Sequence, residues 1–129
     1  MPKCFTQEWL DETRKRMSEG LPEWPGVSAR MQYIVVGAPE GDVGYYWVLE
    51  DGRLVECKLG QLDDADVTMK TQYQDAVEIQ RGTLDASSAF MQGKVKVTGN
   101  MAKVMSLLPI TSSPEYKQMQ AEIARMTEY

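Results

Sequence analysis

No histidine occurs anywhere in this chain. That absence removes the commonest general base, proton shuttle and metal ligand together, and with them the usual hydrolytic chemistries. Cysteine is scarce as well, with only Cys4 and Cys57 present. One lies near a terminus and the other inside an alternating strand pattern, so two reduced thiols are expected rather than a disulfide. Without imidazole, a cysteine nucleophile would need an activating Lys, Arg or helix N-terminus. Basic residues are outnumbered, with Lys+Arg 14 against Asp+Glu 19 and a net charge of −5. Phosphate binding draws its affinity from a cationic surplus, so nucleic acid and acidic membrane surfaces are disfavoured as partners. Long apolar runs are missing too: the longest uncharged apolar stretch, 104–110, falls far short of the ~20 residues of a membrane-spanning helix, and no stable membrane insertion is expected. The N-terminus meets charge before any apolar run and has no secretory h-region, which makes cytoplasmic residence the expectation.

What remains is an ordinary globular composition. The chain has 129 residues, 43% hydrophobic and 26% charged, the proportions and size of one domain with one sizeable core, spanning 1–129. Thr6 is placed to cap a helix in which Trp9, Leu10, Thr13 and Met17 share a face, with Gly20 and Pro22 beyond it. Three runs rich in Val, Ile, Tyr and Trp follow at 29–36, 43–50 and 54–59. A six-residue loop at 37–42 separates the first two, and Asp51-Gly52 offers a type I′ turn between the second and third. An antiparallel meander is predicted. A fourth strand, 66–71, gives way to a helix ending at Gly82. Asp85 then caps a short helix carrying Ala89 and Phe90, and a fifth strand covers 94–98. Asn100 caps a helix whose Met101, Val104, Met105 and Leu108 fall at i, i+3, i+4 and i+7 and which Pro109 is expected to end. The last helix runs from Pro114 to about Thr127 with Tyr116, Met119, Ile123 and Met126 as its stripe. Together these elements specify an α+β fold: a five-stranded, mostly antiparallel sheet with helices packed on one face.

Chemistry-bearing motifs are few. Asp63, Asp64 and Asp66 lack the alternating oxygens, central glycine and distal glutamate of a calcium loop and read as a solvated turn, so no metal site is expected. The loop at 37–42 has no lysine and no following helix to hold phosphate. No cofactor is implied, and the chain reads as a non-enzyme. The unusual feature is nine methionines. Six of them, Met69, Met91, Met101, Met105, Met119 and Met126, fall at positions predicted to point inward. Unbranched thioethers adapt their shape and suit a wall for flexible apolar ligands, though they serve equally well as gap-fillers of a solid core.

The segment 82–100, with Gly82, Phe90, Gly93, Lys94, Lys96 and Gly99 in the order glycine, short aromatic helix, Gly-Lys strand, glycine and helix, resembles the signature stretch of the sterol carrier protein type 2 family. Asp66-Val67-Thr68-Met69 followed by Asp75-Ala76-Val77 also resembles it. Asn100 stands where the family often has aspartate, and both residues cap helices. Peroxisomal members end in a targeting tripeptide, whereas this chain ends Thr127-Glu128-Tyr129, so no organelle address is expected. The resemblance implies an apolar tunnel between sheet and helices for fatty acyl chains, acyl thioesters, phospholipids or sterol-like molecules. Binding would be a partition, gaining about 0.8 kcal/mol per buried CH₂, so about a dozen methylenes suffice for micromolar affinity.

The amphipathic terminal helices point to Val77, Phe90, Met101, Met105, Leu108, Met119 and Ile123 as the lining. The last helix would act as a lid hinged at 110–114. The alternative is a closed-core interaction module. Tyr45, Trp47 and Leu49 alternate with Tyr46 and Val48, so the second strand is apolar on both faces, and a homodimer through the outer sheet face would account for it.

Overall fold

The structure is a computed structural model describing residues 2–20, 23–111 and 113–128, with side chains described for all of these except 86, 87, 108 and 111. Helix α1 (Gln7–Gly20) opens the fold. Its first turn is capped by Thr6, whose Oγ1 accepts from the Trp9 backbone N–H at 3.3 Å. Trp9, Leu10, Thr13 and Met17 form its buried face, the expected stripe. Strands β1 (Ala29–Val36), β2 (Val43–Glu50) and β3 (Arg53–Leu59) form the predicted meander, paired antiparallel throughout. The β2–β3 turn is tight because Asp51 and Gly52 both adopt positive φ, 51° and 79°, the type I′ geometry that matches strand twist.

Strand β4 (Val67–Gln72) lies beside β1 and runs parallel to it, and β5 (Val95–Gly99) pairs antiparallel with β4. The sheet order is therefore β3-β2-β1-β4-β5. Between β4 and β5 come α2 (Tyr73–Arg81) and α3 (Ala86–Met91); α4 (Met101–Thr111) and α5 (Pro114–Met126) complete the chain. Gly82 closes α2 in the left-handed conformation, Asp85 caps α3 and Asn100 caps α4, as the residue types imply.

Because β4 joins the sheet on the far side of β1 from β3, residues 60–66 must cross the outer face over β2 and β1. Gln32 pins the crossing. Its buried side-chain amide donates to the carbonyls of Tyr45 at 3.0 Å and Gly60 at 3.1 Å, while its Oε1 accepts from Leu62 N–H at 2.8 Å. Further along, Asp66 accepts from the Arg30 backbone N–H at 2.9 Å and Asp64 pairs with the Arg30 guanidinium at 3.0 Å, so two of the three aspartates in this turn are engaged with Arg30. Val48 is buried on the same outer face. Tyr46, on the same face, stays partly exposed.

Two expectations are corrected. Helix α4 does not stop before Pro109 but runs on to Thr111. Proline forfeits one hydrogen bond and crowds the preceding turn, yet continuing the helix carries Ile110 into the core beside Leu107, both almost fully buried. The face that α4 buries also differs from the Met101/Val104/Met105/Leu108 stripe. This helix is apolar nearly all round, so periodicity alone does not select a side. Leu107 and Ile110 face inward, and Lys103 Nζ reaches the Ser28 carbonyl at 2.6 Å, fixing the rotation.

Replacing Gln32 with leucine should leave the Tyr45 and Gly60 carbonyls and the Leu62 N–H short of partners. A loss of about 1–3 kcal/mol in urea unfolding is expected. A midpoint equal to wild type would show that the crossing is held by other contacts.

Candidate functional site

The space between sheet and helices is floored by the inward residues of β1 and β2. Strand alternation sends Met31, Tyr33 and Val35 to that side of β1, and the antiparallel register sets Trp47 opposite Met31 and Tyr45 opposite Tyr33. Tyr33 and Tyr45 stack with ring centroids 4.9 Å apart and planes within 10°. Phe5 and Trp9 extend the aromatic cluster from above, and Tyr73 joins it edge-on to Phe5.

A cavity of about 30 Å³ remains. Its walls are Met17 of α1, Met31 and Tyr33 of β1, Trp47 and Leu49 of β2, Leu54 of β3, Leu107 and Ile110 of α4 and Tyr116 of α5. It accommodates about one water-sized group, whereas pockets for whole lipids or drug-sized ligands run to roughly 300–1,000 Å³. A larger cleft, about 500 Å³, lies on the surface beside Arg14, Ser18, Glu23, Glu50, Asp51 and Arg53. Charges of both signs line it, and Arg53 pairs with Glu23 at 3.4 Å, so it is a polar surface feature rather than a place for an apolar chain.

The seven residues expected to line a tunnel are dispersed. Val77 and Ile123 are buried in the main core and Met119 packs against it. Phe90, Met101 and Met105 lie on the surface, 45%, 47% and 61% exposed, and Met91 is 83% exposed. Inward orientation is therefore corrected for Met91, Met101 and Met105, while Met69, Met119 and Met126 do pack on the core. The side chain of Leu108, like residue 112 within the expected hinge, lies outside the described residues. None of the described candidates borders the 30 Å³ cavity. Its walls come largely from strand residues that alternation had already placed on one face, and that signal outperforms the helical stripes.

Helix α5 closes this space from above. It packs on α1, α2 and α4. Met119 sits so close over Gly20, at the end of α1, that a methyl group there would collide with its thioether. Thr127 Oγ1 accepts from the Trp9 indole N–H at 3.0 Å, and a parallel bridge joins Lys3 to Glu128. Ser113 caps α5 by accepting from Tyr116 N–H at 3.2 Å.

The interior is electrostatically uniform: it favours neutral groups. Burial raises the Tyr33 and Tyr45 phenols well above their ordinary value and pushes Tyr116 up to about 12. Burial likewise lifts the Cys4 thiol to about 12 and raises Cys57. Both cysteines are free, and at neutral pH neither thiol supplies a thiolate. Among the described residues no group of three or more His, Cys, Asp or Glu side chains could hold a metal ion, and no helix is long and apolar enough to cross a membrane.

These shifts set the alkaline limit of stability. Below the ordinary values, 9.0 for thiols and 10.0 for phenols, folded and unfolded chains are both protonated and the contribution is constant. Above them the unfolded chain ionises first, so stability falls as pH rises towards the folded values. Urea unfolding should give a level contribution from these groups at neutral pH and a steep loss above about pH 9–10. Stability undiminished at about pH 11 would contradict the burial of these groups.

Comparison with known proteins places this geometry. The model of the SCP-2 sterol transfer family matches residues 11–111. A conserved hypothetical protein from Thermus thermophilus superposes with a TM-score of 0.71 at 18% identity, covering 96% of this chain and 92% of its own. A crystal structure of sterol carrier protein 2 gives 0.70 at 19% identity, covering 98% and 100%. Palmitated SCP2L2 from Aedes aegypti gives 0.64 at 20% identity, covering 81% and 92%. No curated protein sequence matches the chain. At these identities the structures speak for the fold, and the family match over most of the chain decides membership: this protein belongs to the SCP-2 sterol transfer family.

Proposed function

We propose that the protein is a non-catalytic carrier that takes an apolar chain, fatty acyl or sterol-like, between its sheet and its helices. The observation that carries this reading is the apolar cavity at the sheet–helix junction, capped by a terminal helix that packs mainly on other helices. At about 30 Å³ the closed cavity does not hold a lipid, so loading requires α5, and α4 with it, to move outward. Opening would then expose Val77, Met119 and Ile123 as new wall. Phe90, Met101 and Met105, already at the surface, would form the apolar approach to the mouth. The absence of histidine and the protonated thiols support the non-enzymatic reading.

The energetics are compatible with opening. Each buried CH₂ returns about 0.8 kcal/mol, so a chain of about a dozen carbons gains about 10 kcal/mol against the contacts that α4 and α5 give up on opening. A second reading, a closed-core interaction module, is favoured by the small cavity. The two differ in whether apolar ligands bind at all. Native mass spectrometry of purified protein should show adducts of lipid mass that organic extraction removes; an unliganded mass together with no uptake of a fluorescent fatty-acyl probe would leave the closed-core module standing.

The lid has its own test. Gly20→Ala should displace the flexible Met119 thioether from its seat on α1 and speed exchange of that probe by about three- to tenfold, with Met119→Ala in the same background restoring the slow rate. Exchange rates indifferent to both substitutions would mean that α5 is not the gate. Thr127→Val, which removes the acceptor for Trp9, should destabilise the fold by about 1 kcal/mol.

A further inference from the structure

Trp47 is the polar anomaly of the cavity. It lines the space, and its indole Nε1–H is buried without a hydrogen-bond partner. Trp9, by contrast, satisfies its own indole with Thr127 Oγ1 at 3.0 Å. A buried donor left unpaired is destabilising, and such groups persist where a ligand or an ordered water completes them. The cavity beside Trp47 is about 30 Å³, enough for one oxygen-bearing group. The β1–β2 register holds the indole there, opposite Met31, with the Tyr33 ring tilted against it at 5.7 Å.

The remaining walls decide what that oxygen can be. Among the described residues no charged side chain lines the cavity, and besides Trp47 only the neutral phenols Tyr33 and Tyr116 bring polar side-chain groups. An ionised carboxylate placed here would lose its hydration and meet no cation, a penalty that one indole N–H does not offset. A hydroxyl, ester or ketone oxygen carries no such penalty and needs only a donor.

We propose that Trp47 is the recognition group of this site, donating its indole N–H to the oxygen of an uncharged lipid, an alcohol, ester or ketone, in preference to an ionised fatty acid. The inference rests on the carrier reading above and adds to it a ligand class and a named donor. The hydrocarbon tail then lies in the space that α4 and α5 vacate, and the same opening lets the oxygen end reach the Trp47 indole N–H, which is buried in the closed form.

The test uses the full chain, labelled with nitrogen-15 at its tryptophan indoles, and three probes: decan-1-ol, methyl decanoate and decanoate. At about pH 8 the alcohol and the ester should bind about tenfold more tightly than decanoate. In Trp47→Phe both should lose affinity about fivefold while decanoate changes little. In the wild-type protein the Trp47 indole proton, assigned by its absence from the variant or through its own ring system, should move downfield on adding decan-1-ol, with the Trp9 resonance unmoved. The wild-type shift keeps the proposal falsifiable even if the variant folds poorly. Alcohol binding with no response at Trp47 and no loss in the variant overturns the donor role while leaving the carrier reading intact, and means that any group beside the indole is an ordered water. Tighter binding of decanoate overturns the neutral-ligand preference. Failure of all three probes to bind wild type removes the carrier reading and this proposal together.

Discussion

The stack of Tyr33 on Tyr45 across β1 and β2 is the contact around which this molecule is arranged. Two rings directly opposite on one sheet face, joined by Phe5, Trp9 and Trp47, fill the region that a helical layer would otherwise have to fill with aliphatic side chains. Aromatic rings bring large buried area and, in tyrosine and tryptophan, a polar tip each. The tips must then be kept neutral or paired, which accounts for the raised phenols, for the Trp9–Thr127 bond and for the unpartnered Trp47. One choice of side chains in two strands thus sets the packing, the electrostatics and the polar character of the interior.

A second constraint comes from topology. Placing β4 outside β1 makes the β1–β4 pair parallel and sends the β3–β4 connection across the back of the sheet. Gln32, Arg30, Asp64 and Asp66 hold that crossing, and Val48 is covered on the same face. The back is therefore partly covered by the crossing chain, and the apolar cavity lies on the front. There α5 rests on other helices through Met119, Ile123 and Thr127. A sheet face opposite a terminal helix held mainly by other helices is the arrangement in which a small cavity can become a larger one.

Much of this was legible residue by residue. Alternation placed the five strands within about a residue of their observed ends, Asp51-Gly52 fixed the tight turn, and Thr6, Asp85 and Asn100 announced helix starts because each cap is a local hydrogen bond. The helical faces were less legible. The single stripes of α1 and α5 pointed the right way, since each of these helices has one apolar side. In α4 the pattern failed: with apolar residues all round, the buried side is chosen by Lys103 reaching Ser28 and by Leu107 and Ile110 finding the core. Pro109 misled for a related reason, because the burial of Ile110 outweighs a local signal to stop.

By itself, the amino-acid order determined the element sequence, the fold class, the family resemblance and the exclusion of histidine chemistry. These rest on local backbone preferences and on which residue types are present at all. Tertiary structure alone decided that the apolar cavity between sheet and helices is small, that the exposed methionines cluster in α3 and α4, and that strand residues of β1–β3 join residues of α1, α4 and α5 around the cavity. Periodicity records which side of an element is apolar. The distance between two apolar surfaces, and hence the space left between them, exists only once the layers have packed.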